Sequence, residues 1–177
     1  MLKLNSLKAL LLQCLPADLA RDPKRLIVLA EGGTVVTTGT TSLSFEWRYT
    51  ARVIVLDYAG HPDAVMVPII AWMKRNQSEQ MDNAAMRDNA IKFRVEPLTT
   101  ETMDFGIELQ LTERAIVKPD PTAPPDAPHR LRVEHAEEPC HTGTVCVPEH
   151  WELWLRDERK LAEWDLAPPP ANAWFNP

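Results

Sequence analysis

From residue 43 the chain reads LSFEWRYTARVIVLDY, and apolar and polar positions alternate over its first thirteen residues. Leu43, Phe45, Trp47, Tyr49, Ala51, Val53 and Val55 fall on one side, against Ser44, Glu46, Arg48, Thr50 and Arg52 on the other. A period of two marks a strand with one buried face. At roughly 3.3 Å per residue this strand would run about 43 Å, roughly twice the usual length, so it can cross a small domain and still project from it. Upstream, RLIVLAEGGTVVTTGT reads as a strand, a glycine turn at Gly32 and Gly33, and a second extended piece. Together with the long strand it predicts an antiparallel meander. Downstream, IKFRVEP alternates Ile91, Phe93 and Val95, and MDFGIELQLTERAIVKP alternates Phe105, Ile107, Leu109 and Leu111. These are two more strands, and RLRVEH is long enough for another.

Helical spacing appears in three places. Leu7, Leu10, Leu11 and Cys14 form a stripe that Asn5 or Ser6 can cap and Pro16 ends. That amphipathic pattern is broken by Lys8 and Gln13, which argues against reading the N-terminus as a secretory leader. After Gly60-His61-Pro62-Asp63, the residues Val65, Met66, Ile69, Ile70, Trp72 and Met73 give a second helix near 62–76, with Pro68 expected to kink it or delay its start. NQSEQMDNAAMRDN has room for a short helix at most. Trp151, Trp154, Leu155, Leu161 and Trp164 also recur at helical intervals, predicting a tryptophan-rich helix near the C-terminus.

These elements predict an α+β fold: a mostly antiparallel sheet with one long strand or hairpin, packed by the N-terminal helix and the helix near 62–76. Composition changes the picture at one end. Five of the 16 prolines fall in KPDPTAPPDAPHR, residues 118–130, which can sit inside neither a helix nor a sheet. The chain therefore divides into an α+β domain over 1–117, a proline-rich linker over 118–130, and a C-terminal extension over 131–177 that holds a strand, the tryptophan-rich helix and an aromatic tail ending at Trp174 and Phe175.

The net charge of −6, with no cluster of Lys and Arg, argues against a direct grip on nucleic acid, which needs local positive charge. No segment approaches eighteen uninterrupted apolar residues, so no membrane span is expected. Three cysteines, an odd number, point to a reducing compartment rather than a disulfide framework. The catalytic inventory is thin. EGGTVVTTGTT lacks the lysine of a phosphate-binding loop, no GxSxG is present, and Asp57, His61 and Asp63 fit a helix entry better than an acid–base set. His135, Cys140, His141, Cys146 and His150 could form a zinc module, or a small metal-dependent enzyme built on one. However, five residues separate the two cysteines, whereas structural zinc pairs are usually two to four apart. No metal, cofactor or catalytic residue is assigned.

Three blocks, TGTTSLSFEWRYTARVIVLDYAGHPDAVMVPIIAWMKRNQ, IELQLTERAIVKPD and the opening MLKLNSLKALL, resemble the tail completion protein R family of contractile-tailed temperate phages. The resemblance spans most of residues 1–120 and leaves the C-terminal extension as a departure from the family. It implies a non-enzymatic tail terminator: a ring, a hexamer in this reading, on the head-proximal end of the tail tube and sheath. There it would stop tail growth and present a surface to neck and head-completion proteins. The location implied is the virion at the tail–neck junction, and the host cytoplasm during assembly. DNA would pass through the lumen without specific binding.

For such a role the expected contact residues are those at the projecting end of the long strand, Phe45, Trp47, Arg48 and Arg52. The strand is expected either to pair with the one around 105–117 as a hairpin or sheet edge against a neighbour, or to be a long but ordinary central strand. The aromatic side chains of the extension, Trp151, Trp154, Trp174 and Phe175, are expected to dock on an adjacent subunit or a neck protein, the alternative being that they cover their own domain. An extended proline-rich linker of about 40 Å gives them the reach.

Overall fold

The alternation starting at Leu43 becomes β2, Phe45–Tyr58, and every second residue of it from Tyr49 to Val55 is buried. The computed structural model describes residues 1–15, 22–126, 129–136, 147–156 and 159–166. Strand β1 (Leu26–Thr37) runs antiparallel to β2 on one side. On the other side lies β4 (Met103–Pro119), which is longer still. The far side of β4 is shared by two short strands: β3 (Ile91–Pro97) pairs with its first half and β5 (Leu131–His135) with its end. The sheet is antiparallel throughout, in the order β1-β2-β4-β3 with β5 also on β4.

The long strand is therefore central. Its backbone is paired from Phe45 to Val55 on both sides, so it is not a sheet edge. Gly32 and Gly33 do not turn the chain either. They lie within β1, at a register shift between Ala30 and Gly32. A β-bulge of this kind adds twist to a strand without ending it. A side chain at Gly33 would place its Cβ 2.2 Å from the Arg48 carbonyl oxygen and 2.7 Å from Tyr49 Cα, whereas Gly32 opens onto free space.

Between β4's two short partners, the backbone at Thr112 has no strand beside it. Gln77, fully buried, fills the gap: its side-chain oxygen accepts from Thr112 N at 2.7 Å and its amide donates to Thr112 O at 3.0 Å. The side-chain amide thus pairs a half-buried backbone donor and acceptor on the side of β4 that has no strand partner there.

One face of the sheet carries the core. Helix α1 (Leu2–Cys14) and helix α2 (Asp63–Asn76) lie on it, with Leu7, Leu11, Ile69, Trp72 and Met73 buried against Val53, Ile107 and Leu109. The two helices are tied where Trp72 Nε1 donates to Ser6 Oγ at 3.2 Å and Lys3 Nζ to Asn76 O at 2.6 Å. Helix α2 starts at Asp63 and carries Pro68 inside it, so the proline does not delay the start. Two short helices follow, α3 (Ser78–Asp82) and α4 (Ala84–Ala90). Helix α1 begins earlier than Asn5 or Ser6 would set it. Its first free amide, Leu2 N, donates to Glu113 Oε1 at 2.7 Å, so the capping acid comes from β4 across the fold.

The C-terminal region departs most from expectation. The predicted tryptophan-rich helix is instead a two-stranded antiparallel hairpin, β6 (Glu149–Trp154) and β7 (Lys160–Leu166). EHWELW and KLAEWDL alternate just as well as they fit a helical spacing, and five residues, LRDER, separate them in the sequence. Ala162, Trp164 and Leu166 point inward and join the main core, with Trp151 stacked on its register partner Trp164 at 6.2 Å. Strand β7 packs on α1 and α2, while α1 also packs on β1. The described residues thus form three layers: sheet, helices, hairpin. This explains why α1 carries leucines on more than one side, as expected for a helix buried on both flanks.

The proline-rich segment behaves differently from a spacer as well. Strand β4 runs through Lys118 to Pro119, and β5 folds back beside it with Val117 opposite Val133. Asp120, with its carboxyl only 3% exposed, fastens this turn by accepting from Thr122 N and Oγ1 and pairing with Arg130 and Arg132 at 3.1 and 3.2 Å. The Thr122 hydrogen bonds, aided by the two guanidiniums, hold that carboxyl below its usual range.

Candidate assembly surfaces

The helix layer stops before the sheet does. The α1 N-terminus sits at Glu113, which is opposite Trp47 in register, but β1, β2, β4 and β5 continue past it. On the core-side face of this overhang lie Val35, Phe45, Trp47, Val117, Leu131 and Val133, placed together by the pairs Val35↔Trp47, Phe45↔Ala115 and Val117↔Val133. Phe45 and Trp47 meet edge to face at 5.3 Å and are half-buried, while Val35, Leu131 and Val133 are more than 40% exposed. Exposed apolar side chains gathered in this way are uncommon on the surface of a solvated monomer.

Arg48 and Arg52 occupy the opposite face. Arg48 pairs with Glu46 at 2.6 Å and Arg52 with Glu31 at 3.0 Å, both at exposed positions. The four expected contact residues of β2 therefore split into an apolar pair on the core side and a cationic pair on the outer side. Around Arg48 the outer face is concave, a trough of about 820 Å³ floored by Gly33, Thr50, Gln110 and Thr112 and walled by Arg114, Glu79 and Met86.

Beneath the overhang, Glu113 is a buried carboxylate with defined partners. Besides Leu2 N it accepts from Tyr49 Oη at 3.2 Å, and His135 Nδ1 stands 3.2 Å away without an aligned hydrogen bond. Burial first, and then the Glu113 charge, push the Tyr49 hydroxyl well above its ordinary value. Cys14 is likewise pushed up to about 12 by burial alone, so it is a core thiol and not a nucleophile.

Trp151 and Trp154 are 40% and 53% exposed on β6. They do not share a face: Trp151 leans on Trp164, while Trp154 lies outward with Lys160 at 6.0 Å from its ring. Trp174 and Phe175 lie outside the described residues, as do Cys140, His141 and Cys146 of the candidate zinc patch. The other two members are engaged elsewhere, His135 beside Glu113 and His150 with Asp165 at 2.8 Å. Among the described residues His150, Glu152 and Glu163 do bring ligand atoms within 4.8 Å of one another. Lys160 already bridges the two carboxylates, so a cation holds that position.

Sequence reading missed Phe93, Val95 and Leu98, which are 68%, 38% and 53% exposed on and beside the edge strand β3. The alternation in IKFRVEP gives their facing correctly, but it carries no signal that the helices would leave them uncovered. The Glu113 cluster was missed for a related reason. Its partners, at positions 2, 49 and 135, are distant in sequence and meet only through the sheet register.

Comparison with known proteins comes after this geometry. Residues 1–139 match the family model described as P2 phage tail completion protein R (GpR). The chain is also 32% identical to "Tail completion protein R" of Escherichia phage P2 over 165 residues, 93% of this chain and 99% of that one. That alignment takes in most of residues 131–177, so the C-terminal region is shared with the P2 protein, although the family model itself ends at residue 139. No solved structure matches.

Proposed function

This chain belongs to the P2 phage tail completion protein R family, whose members are structural proteins of the phage tail, and from that premise we propose that it is the tail terminator. In this reading copies of the chain close into a ring, a hexamer, on the head-proximal end of the tail tube and sheath. The ring stops further addition of tube subunits and offers its upper surface to neck and head-completion proteins. It assembles in the host cytoplasm, performs no catalysis, and remains in the virion at the tail–neck junction.

The match along 99% of the P2 protein carries the reading. The apolar overhang at Val35, Phe45, Trp47, Leu131 and Val133 supports it, because a monomer has little reason to leave such a surface open. Subunits that meet head to tail through a rotation that closes make a ring, and the same contact without closure makes a filament. Phe45, Trp47, Arg48 and Arg52 belong to these contacts, as do Trp151 and Trp154 and, at the chain end, Trp174 and Phe175. DNA passes the lumen without being held, as befits a chain with a net charge of −6.

The test is tail length. Tails assembled with the chain present should have one length, and tails assembled without it should overrun. Tails of normal, uniform length in its absence would refute the terminator reading.

A further inference from the structure

The outer face of the hairpin has a small excess of acidic side chains, and the trough in the outer face of the sheet a small excess of basic ones. The hairpin turns Glu152, Glu163 and Asp165 outward, with Lys160 and His150 among them and Trp154 at the edge. On the other side of the helices, the outer face of the sheet presents Arg48 and Arg114 at the trough. Arg48 is 58% exposed, and Arg114 makes no ion pair among the described residues. Lys3 lines the trough as well, as do Glu46, which pairs with Arg48, and Glu79, with Thr50, Gln110 and Thr112 as its floor. That floor is uncharged and the groove above it is half open to solvent, unlike the enclosed, mostly apolar pockets that hold small ligands. It suits a convex protein segment better. The hairpin packs on the helices through β7 and turns its other face to solvent, with β6 paired to β7 alone among the described residues.

We propose that the acidic outer face of the β6–β7 hairpin of one copy docks into the arginine-lined trough on the outer face of the sheet of the next copy. This contact rests on the ring reading above and assigns it a pair of surfaces. A head-to-tail ring needs two different, complementary patches on each subunit, and here they lie on opposite faces of the same molecule. Their charges are complementary, which steers association and fixes which face meets which. Trp154, with Lys160 near its ring, supplies the aromatic body at the edge of the docked hairpin.

Charge reversal followed by rescue is the test. The variant Glu163→Arg, Asp165→Arg and the variant Arg48→Glu, Arg114→Glu should each associate at least about tenfold more weakly than the wild type in analytical ultracentrifugation at physiological salt. All four positions are exposed, so circular dichroism and the melting temperature should stay near wild type. The chain carrying all four substitutions regains the wild-type net charge and should regain the oligomer, and so should a 1:1 mixture of the two double variants. Rescue also separates lost contact from damage to the hairpin, since substitutions on the sheet cannot refold a hairpin two layers away. A wild-type oligomer that survives both reversals, or reversals with no rescue, overturns this contact and leaves the ring standing. A wild-type chain that stays monomeric at every concentration overturns the ring and the contact together.

Discussion

At the residue scale, Glu113 and its neighbours illustrate how a polar group becomes structural. A carboxylate 3% exposed is tolerable in a core only with partners, and it accepts from Leu2 N and Tyr49 Oη, with the His135 ring nearby. Glu113→Ala strands those donors and should lower stability by about 1–3 kcal/mol, read as a shift in urea midpoint, whereas Tyr49→Phe removes one donor and should lose less. The buried thiol and phenol predict an alkaline limit. Cys14 and Tyr49 both hold their protons more tightly when folded, so their contribution is complete below the ordinary values of 9.0 and 10.0 and is lost as the pH climbs above them. Stability should be level through neutral pH and then decline above about pH 9, by up to about 1.4 kcal/mol per pH unit for each group. Cys14→Ala should flatten the first part of that decline; an unchanged alkaline profile in this variant would rule out the thiol as its source.

At the element scale, the strands of the main sheet and the pairing of β2 with β4 were legible in the sequence, while the place of β2 within the sheet was not. Alternation depends only on which face a residue turns, and Phe45 to Val55 could be read with no knowledge of the fold. Whether β2 is central or at an edge depends on β1 and β4, and a glycine pair reads equally well as a turn or as a bulge until a neighbouring backbone is present. Gly33 and Gly32 separate these readings experimentally. Gly33→Ala forces a Cβ into the β2 backbone and should destabilise severely, while Gly32→Ala meets nothing and should be nearly neutral. Similar melting temperatures for the two variants would contradict the bulge. The hairpin was misread because Trp151, Trp154, Leu161 and Trp164 satisfy two periods at once. Its burial against α1 predicts that Trp164→Ala loses about 3–5 kcal/mol, as core tryptophans do. Truncation after Val117 removes β5, β6 and β7, and with them core residues Ala162, Trp164 and Leu166. It should abolish cooperative unfolding; a stable, folded fragment 1–117 would show that the C-terminal layer merely rests on the core.

At the scale of the whole molecule, the family was legible because its signal sits in contiguous blocks such as FEWRYTARVIVLDY. The surfaces by which a family member assembles were legible only in part. Phe45, Trp47 and Arg48 were singled out from the length of one strand, yet the structure places them on two different faces, with Val35, Leu131 and Val133 joining the first and Arg114 the second. An interface is a property of the folded surface, and no spacing along the chain encodes which end of a sheet a helix leaves bare. What the account claims above all is closure: copies of this chain meet through unlike faces until the last meets the first. Negative-stain electron microscopy of the purified full-length protein measures that directly. The account predicts round particles of one size with a central hole. Single compact particles at every concentration, or open filaments of varied length, would contradict it.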